Sequence, residues 1–295
     1  MRIVYIGIVD FSRHCLREVL KNRGDVVGIV TSKNSSFNSD YCDLTQIARR
    51  HNIPIHYCMN VNDRGSVKWI KDRKPDILFC WGWSQLIKAE LLSLPPMGVV
   101  GVHPALLPQN RGRHPLIWAL ALGLKKSGLT FFFMDKGADS GPVLSQKRFE
   151  ITGRDTAGTL YGKIKKLAAR QIAEFLPQLV SRNYKTVAQD PEKANYWRKR
   201  SVADGLIDWR MDAAAVLNLI RALAKPYPGA QFKYNDKVIT VWEAHRYGKK
   251  VPSNAEPGKV IFVSGEKPAI KCYDSAIAID RYDPCVNFVK GEYIK

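Results

Sequence analysis

The chain has 295 residues, 45% of them hydrophobic, and a net charge of +19 at neutral pH. That length supports one large domain and one smaller domain with a sizeable buried core. No run approaches the roughly 18 apolar residues needed to cross a bilayer, and the opening MRIVYIGIVDFSRH stops being apolar at Asp10, so it reads as a buried strand rather than a signal peptide.

The charge excess is spread as +8, +5 and +6 over residues 1–139, 140–194 and 195–295. An anionic partner is expected, but no dedicated nucleic-acid arm. Six scattered cysteines lack paired C-x-x-C spacing and read as free thiols in a reducing, cytoplasmic compartment. No metal site is expected, because the six histidines show no H-x-x-x-H pair or carboxylate-rich cluster.

In chain order, RIVYIGIV, SRHCLREVLKN, DVVGIVTS, YCDLTQIARRHN and a short run at Ile53 to Tyr57 alternate apolar and amphipathic patterns. Alternation of strand and helix predicts crossovers: an α/β, Rossmann-like, mostly parallel sheet with helices on both faces. Further strands are predicted at 76–81 and 98–103. His103 then falls at a strand's carboxyl end, where open α/β sheets bind ligands. The next stretch, PALLPQNRGRHP, has three prolines and a glycine and cannot be regular. A helix over 116–122, strands over 129–134 and through 145–151 around the turn DKGADSG, and a long helix over 157–180 complete a first domain of residues 1–182. A linker is read over 183–203; its Arg198-Lys199-Arg200 run is either simply solvated or a phosphate contact. Residues 204–295 hold one helix (212–223) and strand-like runs at 231–234, 237–242, 259–263, 269–273 and 276–282, which suggest a small OB-like β-barrel.

A histidine at a strand end and an aspartate in a turn thirty-six residues later can form an oriented acid/base pair. The blander alternative leaves His103 a buried core residue and Asp139 a turn former. GIVDFSR lacks the three spaced glycines of a dinucleotide fingerprint, so NAD is not expected.

The string HPALLPQNRGRHPLIWALALGLKKSGLTFFFMDKGADSGPVLSQ resembles the signature of the folate-dependent formyltransferases, matching at His103, Leu106, Leu107, Pro108, Arg111, Gly112, Asp139 and Gly141. DGLIDW, LIRAL and PYPGA resemble the start of that family's C-terminal domain. The resemblance implies attack of an amine on the formyl carbon of 10-formyltetrahydrofolate. His103 would shuttle the proton and Asp139 would stabilise the charged ring. It further implies that Gln85, Leu86 and Ile87 contact the folate through backbone groups, that the Asp135 turn lines it, and that Ala105, Leu106, Leu107 and Pro108 form its floor. Locally, Gln85 to Ile87 also read as a helix start capped by Ser84. Arg111, Arg113 and His114 form a basic loop suited to the substrate or to bracing. The family's asparagine two residues before the histidine is replaced by Gly101; Asn110, Gln109 or protonated His103 is the candidate replacement oxyanion donor.

The segment after the second strand, TSKNSSFNSDYCDLTQIARRHNIP, is short and nearly neutral, and FNSDYCDL and GWSQLIKAELL look closer to the branch that formylates nucleotide-linked amino sugars. A small-molecule nucleotide sugar is therefore expected ahead of methionyl-tRNA. A folate- or sugar-binding protein that lost its chemistry with the asparagine is the alternative from another class. No membrane partner is expected, and a homodimer is allowed.

Overall fold

The computed structural model describes residues 1–34 and 39–294. The elements run β1 (Arg2–Ile6), α1 (Asp10–Lys21), β2 (Asp25–Thr31), α2 (Thr45–Arg50), β3 (Ile55–Tyr57), α3 (Arg64–Lys71), β4 (Ile77–Cys80), α4 (Ala89–Ser93), β5 (Val99–His103), β6 (Arg111–Gly112), α5 (Pro115–Ala121), β7 (Lys126–Phe133), β8 (Val143–Glu150), α6 (Ala157–Val180), β9 (Tyr196–Trp197), α7 (Ala213–Leu223), β10 (Ala230–Tyr234), β11 (Lys237–Arg246), β12 (Val260–Ser264), β13 (Lys267–Lys271) and β14 (Ala276–Asp283). They group into two compact units. The first comprises residues 1–115, 126–150 and 161–197; the second comprises 116–125, 151–160 and 198–295.

The first unit is built on a seven-stranded sheet of order β3-β2-β1-β4-β5-β7-β8. Strands β1 to β5 are mutually parallel, while β7 is antiparallel to β5 and to β8. The Rossmann-like expectation therefore holds, with an antiparallel pair at one edge. Period-two alternation sorts the strand side chains onto opposite faces. On one face Val4, Ile6, Leu78 and Cys80 pack with Val67 and Ile70 of α3 and Leu91 of α4. On the other, Tyr5 donates its hydroxyl to Ser12 O of α1 at 2.7 Å, and Trp81 meets Phe175 of α6 at 6.4 Å between ring centroids. Trp81 also packs edge-on to Tyr5 and Phe131 at 5.5 and 5.0 Å. Burying each such side chain contributes roughly 1.5–3 kcal/mol.

The second unit carries a five-stranded antiparallel sheet of order β10-β11-β14-β13-β12. Asn235 and Asp236 take positive φ (47° and 59°) in the two-residue turn between β10 and β11, the backbone such hairpins need. Helix α7 starts at its N-cap Asp212, which accepts from Ala215 N at 2.6 Å, and packs on β11. The small antiparallel β domain expected from the sequence is present, and its outer strands β10 and β12 are each met at one point by their own chain: Ile207 N donates to Gln231 O, and Val260 N to Glu292 O. Among the described residues no helix is long and apolar enough to cross a membrane.

Candidate active site

Strand β5 lies between its parallel neighbour β4 and the antiparallel β7, and His103 is its last residue. The histidine is buried, at 4% exposure. Its Nε2 lies 2.7 Å from the backbone oxygen of Asn110. A carbonyl only accepts, so Nε2 carries a hydrogen. Nδ1 lies 3.5 Å from Asp139 Oδ2, beyond ordinary hydrogen-bond length but within ion-pair reach. The ring is 5% exposed and the Asp139 side chain 22%, so the carboxylate is the open edge of the couple.

Local chemistry holds both groups. The loop after His103 is pinned from below: Thr130 Oγ1 donates to Ala105 O at 2.7 Å, and Gln146 Nε2 donates to Leu107 O at 2.8 Å. Ala105 and Leu107 are buried, Leu106 packs over Gly128, and a cis peptide joins Leu107 to Pro108. Asn110, His114 and Asp139 all take left-handed backbone (φ 63°, 55° and 55°), a sparsely populated region that surrounding structure must enforce. Gly112 N donates to Asp139 Oδ2 at 2.9 Å, linking the two loops. Asp135, expected to line the folate, caps its own turn: Oδ1 accepts from Gly137 N and from Ser140 Oγ at 3.0 and 2.7 Å.

The basic loop divides. Arg111 is 4% exposed; its Nε and Nη2 donate to Gln189 Oε1 and its Nη1 to Tyr196 OH, so its charge is spent internally. Arg113 Nη1 donates to Ser84 O at 2.9 Å. Asn110 is paired with Asn195, which uses Oδ1 to accept from Asn110 N at 2.8 Å and Nδ2 to donate to Asn110 Oδ1 at 3.2 Å. The stretch read as a plain linker thus supplies Gln189 and Asn195 to this site and pairs β9 with β6 in parallel register, Arg111 with Tyr196 and Gly112 with Trp197. No sequence pattern marks these contacts, which join residues 78 and 85 positions apart.

Gln85, Leu86 and Ile87 are not a helix start capped by Ser84: α4 begins at Ala89, with Lys88 as N-cap. Neighbouring side chains hold the segment as a non-helical loop instead. Asn62 donates to Leu86 O at 2.9 Å and accepts from Lys88 N at 2.8 Å, while Gln85 accepts from Val61 N and donates to Met59 O. Ile87 is buried, whereas Leu86 and Met59 are about three-quarters exposed at 76% and 77%. A Cβ at Gly101 would stand 2.6 Å from Met134 Cε and 3.1 Å from Phe132 Cζ, so Met134 fills the space above this glycine. In the FNSDYCDL stretch, Phe37 and Asn38 lie outside the described residues. Asp40 accepts from the Tyr161 hydroxyl, and burial pushes its carboxyl up from the usual carboxylate range.

A buried histidine at the carboxyl end of a central parallel strand, within ion-pair reach of a carboxylate, has the arrangement of an acid/base pair. The chain belongs to the formyl transferase family: the formyl transferase model matches residues 1–176, and the formyl transferase C-terminal domain model matches residues 199–285. A methionyl-tRNA formyltransferase of Kosmotoga olearia is 31% identical over 289 residues, covering 95% of this chain and 91% of that one. Among solved structures, the sugar 3N-formyl transferase WlaRD, determined in the presence of dTDP and 5-N-formyl-THF, superposes with a TM-score of 0.70 at 19% identity, over 95% of this chain and 96% of that one. HypX from Aquifex aeolicus gives 0.67 at 19% identity; this chain spans 45% of that longer protein.

Proposed function

We propose that the chain is an N-formyltransferase that takes the formyl group from 10-formyltetrahydrofolate and places it on the amine of a nucleotide-linked amino sugar. The observation that carries the chemistry is the His103–Asp139 couple, with one ring nitrogen tied to a carbonyl and the other facing a carboxylate at the open edge. The substrate nitrogen attacks the formyl carbon, and the carbonyl electron pair moves onto oxygen. The oxygen's pair then re-forms the carbonyl as the bond from that carbon to the folate nitrogen breaks, its pair leaving with the nitrogen. His103 takes the proton shed by the attacking nitrogen and returns it to the departing one. Nε2 is spent on Asn110, so Nδ1 is the exchanging atom, and Asp139 stabilises the ring while it is charged. A group placed this way contributes roughly 10²–10⁴ in rate. Asn110 Oδ1 is engaged by Asn195, which leaves its Nδ2 to donate to the developing oxyanion in place of the asparagine absent at Gly101.

The donor fits the residues present. Met59 and Leu86 expose apolar side chains on loops that Gln85 and Asn62 tie down, a surface suited to a flat heteroaromatic ring, and the WlaRD structure was determined with a formylated folate. Gln85 to Ile87, the Asp135 turn and Ala105 to Pro108 are the proposed folate contacts, and Arg113 and His114 face the acceptor. For the acceptor, residues 32–44 carry one lysine and two aspartates and so supply no cluster of cations for nucleic-acid phosphates. The curated relative at 31% identity supports a second reading, initiator methionyl-tRNA. All six cysteines are unbridged, in keeping with the cytoplasmic location we propose.

A formyl-transfer assay with 10-formyltetrahydrofolate against nucleotide-linked amino sugars and charged initiator methionyl-tRNA tests the reading. Turnover confined to a sugar supports it, and turnover confined to tRNA replaces the acceptor. Folate binding without turnover on either panel would point to an amine outside both panels or to a binding protein whose chemistry was lost with the asparagine.

A further inference from the structure

The two loops that carry His103 and Asp139 are joined by more than their mutual contact. Gln189 uses its whole carboxamide between them: Oε1 accepts from Arg111 Nε and Nη2 at 3.2 and 2.8 Å, and Nε2 donates to Asp139 O and Gly141 O at 2.9 and 2.6 Å. Arg111 sits between Asn110, whose carbonyl takes the His103 Nε2 hydrogen, and Gly112, whose N–H holds the Asp139 carboxylate. The contacts close a ring from His103 through Asn110 and Arg111 to Gln189, on to Asp139, and back to His103.

Asn195 holds the other end. Its side chain clamps Asn110 through both the backbone N–H and the amide, and its own carbonyl accepts from Arg111 N at 3.0 Å. The stretch carrying these residues is anchored at either side, by a bridge of Val187 with Val143 and by the β9–β6 pairing. Asn110 and Asp139 are both left-handed, backbone that persists only where neighbours over-determine it.

We infer that Gln189 and Asn195 are positioning residues that set the His103–Asp139 couple, Gln189 by fixing the Asp139 turn against the Arg111 loop and Asn195 by aiming the Asn110 carbonyl at His103. The kinetic arm of the test rests on the formyl-transfer reading. Small displacements of a catalytic group cost up to about 10²-fold in rate. With the full-length protein, Gln189→Ala lowers kcat about 10–100-fold and leaves KM for both substrates within about 3-fold. Gln189→Glu, which can still accept from Arg111 but cannot donate to the two carbonyls, falls comparably. Asn195 is exposed, so its substitution spares the core. Asn195→Ala lowers kcat about 10-fold, while Asn195→Asp, which keeps the acceptor for Asn110 N but cannot donate to Asn110 Oδ1, recovers only part of that loss. In a His103→Asn background Gln189→Ala costs nothing further, because there is no couple left to position.

A second arm needs no turnover: long-range proton–nitrogen NMR of the His103 ring reads a fixed hydrogen on Nε2, and Asn195→Ala releases it into a mixture of states. Rates that fall additively in the His103→Asn background, or an unchanged ring signal in Asn195→Ala, would overturn the proposal. Absence of turnover in the unsubstituted protein retires the formyl-transfer reading instead, and the ring signal alone then decides the brace.

Discussion

Asp139 Oδ2 stands 3.5 Å from His103 Nδ1 and 2.9 Å from Gly112 N, so one carboxylate oxygen both faces the ring and holds the loop after it. Charge and bracing can therefore be separated by substitution. Asp139→Asn can keep an oxygen acceptor for Gly112 N while removing the charge that stabilises the ring. We expect it to fold with a nearly unchanged melting temperature and to lose at least about 10² in kcat; His103→Asn should lose a similar or larger factor. Steady-state kinetics beside thermal melts check this, and a fully active His103→Asn protein would remove the centre of the mechanism.

The loop at Gln85 to Ile87 is held by Asn62, which bonds Leu86 O and Lys88 N at 2.9 and 2.8 Å. If this loop contacts the folate, loosening it weakens donor binding without touching the chemistry. Asn62→Ala should raise KM for the folate donor about 5–30-fold, the equivalent of two surface hydrogen bonds, with kcat unchanged. An unchanged donor KM would detach this loop from the folate site.

Much of this fold was readable because burial writes itself into sequence. Strands covered on both faces are apolar throughout, as in Ile77–Cys80, and α6 spans Ala157–Val180 as its apolar spacing predicts. His103 was legible as a strand-end residue for the same reason. What escaped was polar and non-local. Gln189 and Asn195 lie in a hydrophilic stretch with no periodicity, and their importance comes from partners far away in sequence. Helix α4 was placed too early because Ser84 looks like a cap; the bonds from Asn62 and Gln85, invisible locally, keep residues 85–87 out of the helix. Arg111 looked like a substrate contact in a basic loop, and only its burial against Gln189 and Tyr196 reveals the bracing.

Two glycines near the site should respond differently to added side chains. A Cβ at Gly141 would lie 1.8 Å from Phe133 O, and backbone cannot yield without moving the turn that carries Asp139. At Gly101 the nearest atom, 2.6 Å away, is the terminal methyl of Met134, the end of a flexible side chain. Gly141→Ala should therefore destabilise by about 3 kcal/mol and abolish most activity, while Gly101→Asn should cost about 1 kcal/mol. Met134→Ala should relieve the Gly101→Asn strain in a double-mutant cycle and leave Gly141→Ala unrelieved, as chemical denaturation will show.

Asp40 offers a pH-dependent test of the contact between the loop after β2 and α6. Burial pushes its carboxyl up, against the opposing pull of the Tyr161 hydroxyl. The folded protein thus binds this proton more tightly than the unfolded chain does. The associated stability is fully present below the ordinary carboxylate value of about 3.9 and is lost as pH rises through the raised folded value. Asp40→Asn keeps an oxygen for the Tyr161 hydroxyl and abolishes the titration. Its stability relative to the unsubstituted protein should therefore rise between about pH 4 and pH 7, where the native carboxylate becomes charged in a desolvated place. Denaturant midpoints of the two proteins across that range measure the difference directly. A relative stability that stays flat, or falls, would mean that Asp40 is solvated and that its pairing with Tyr161 does not bury the charge.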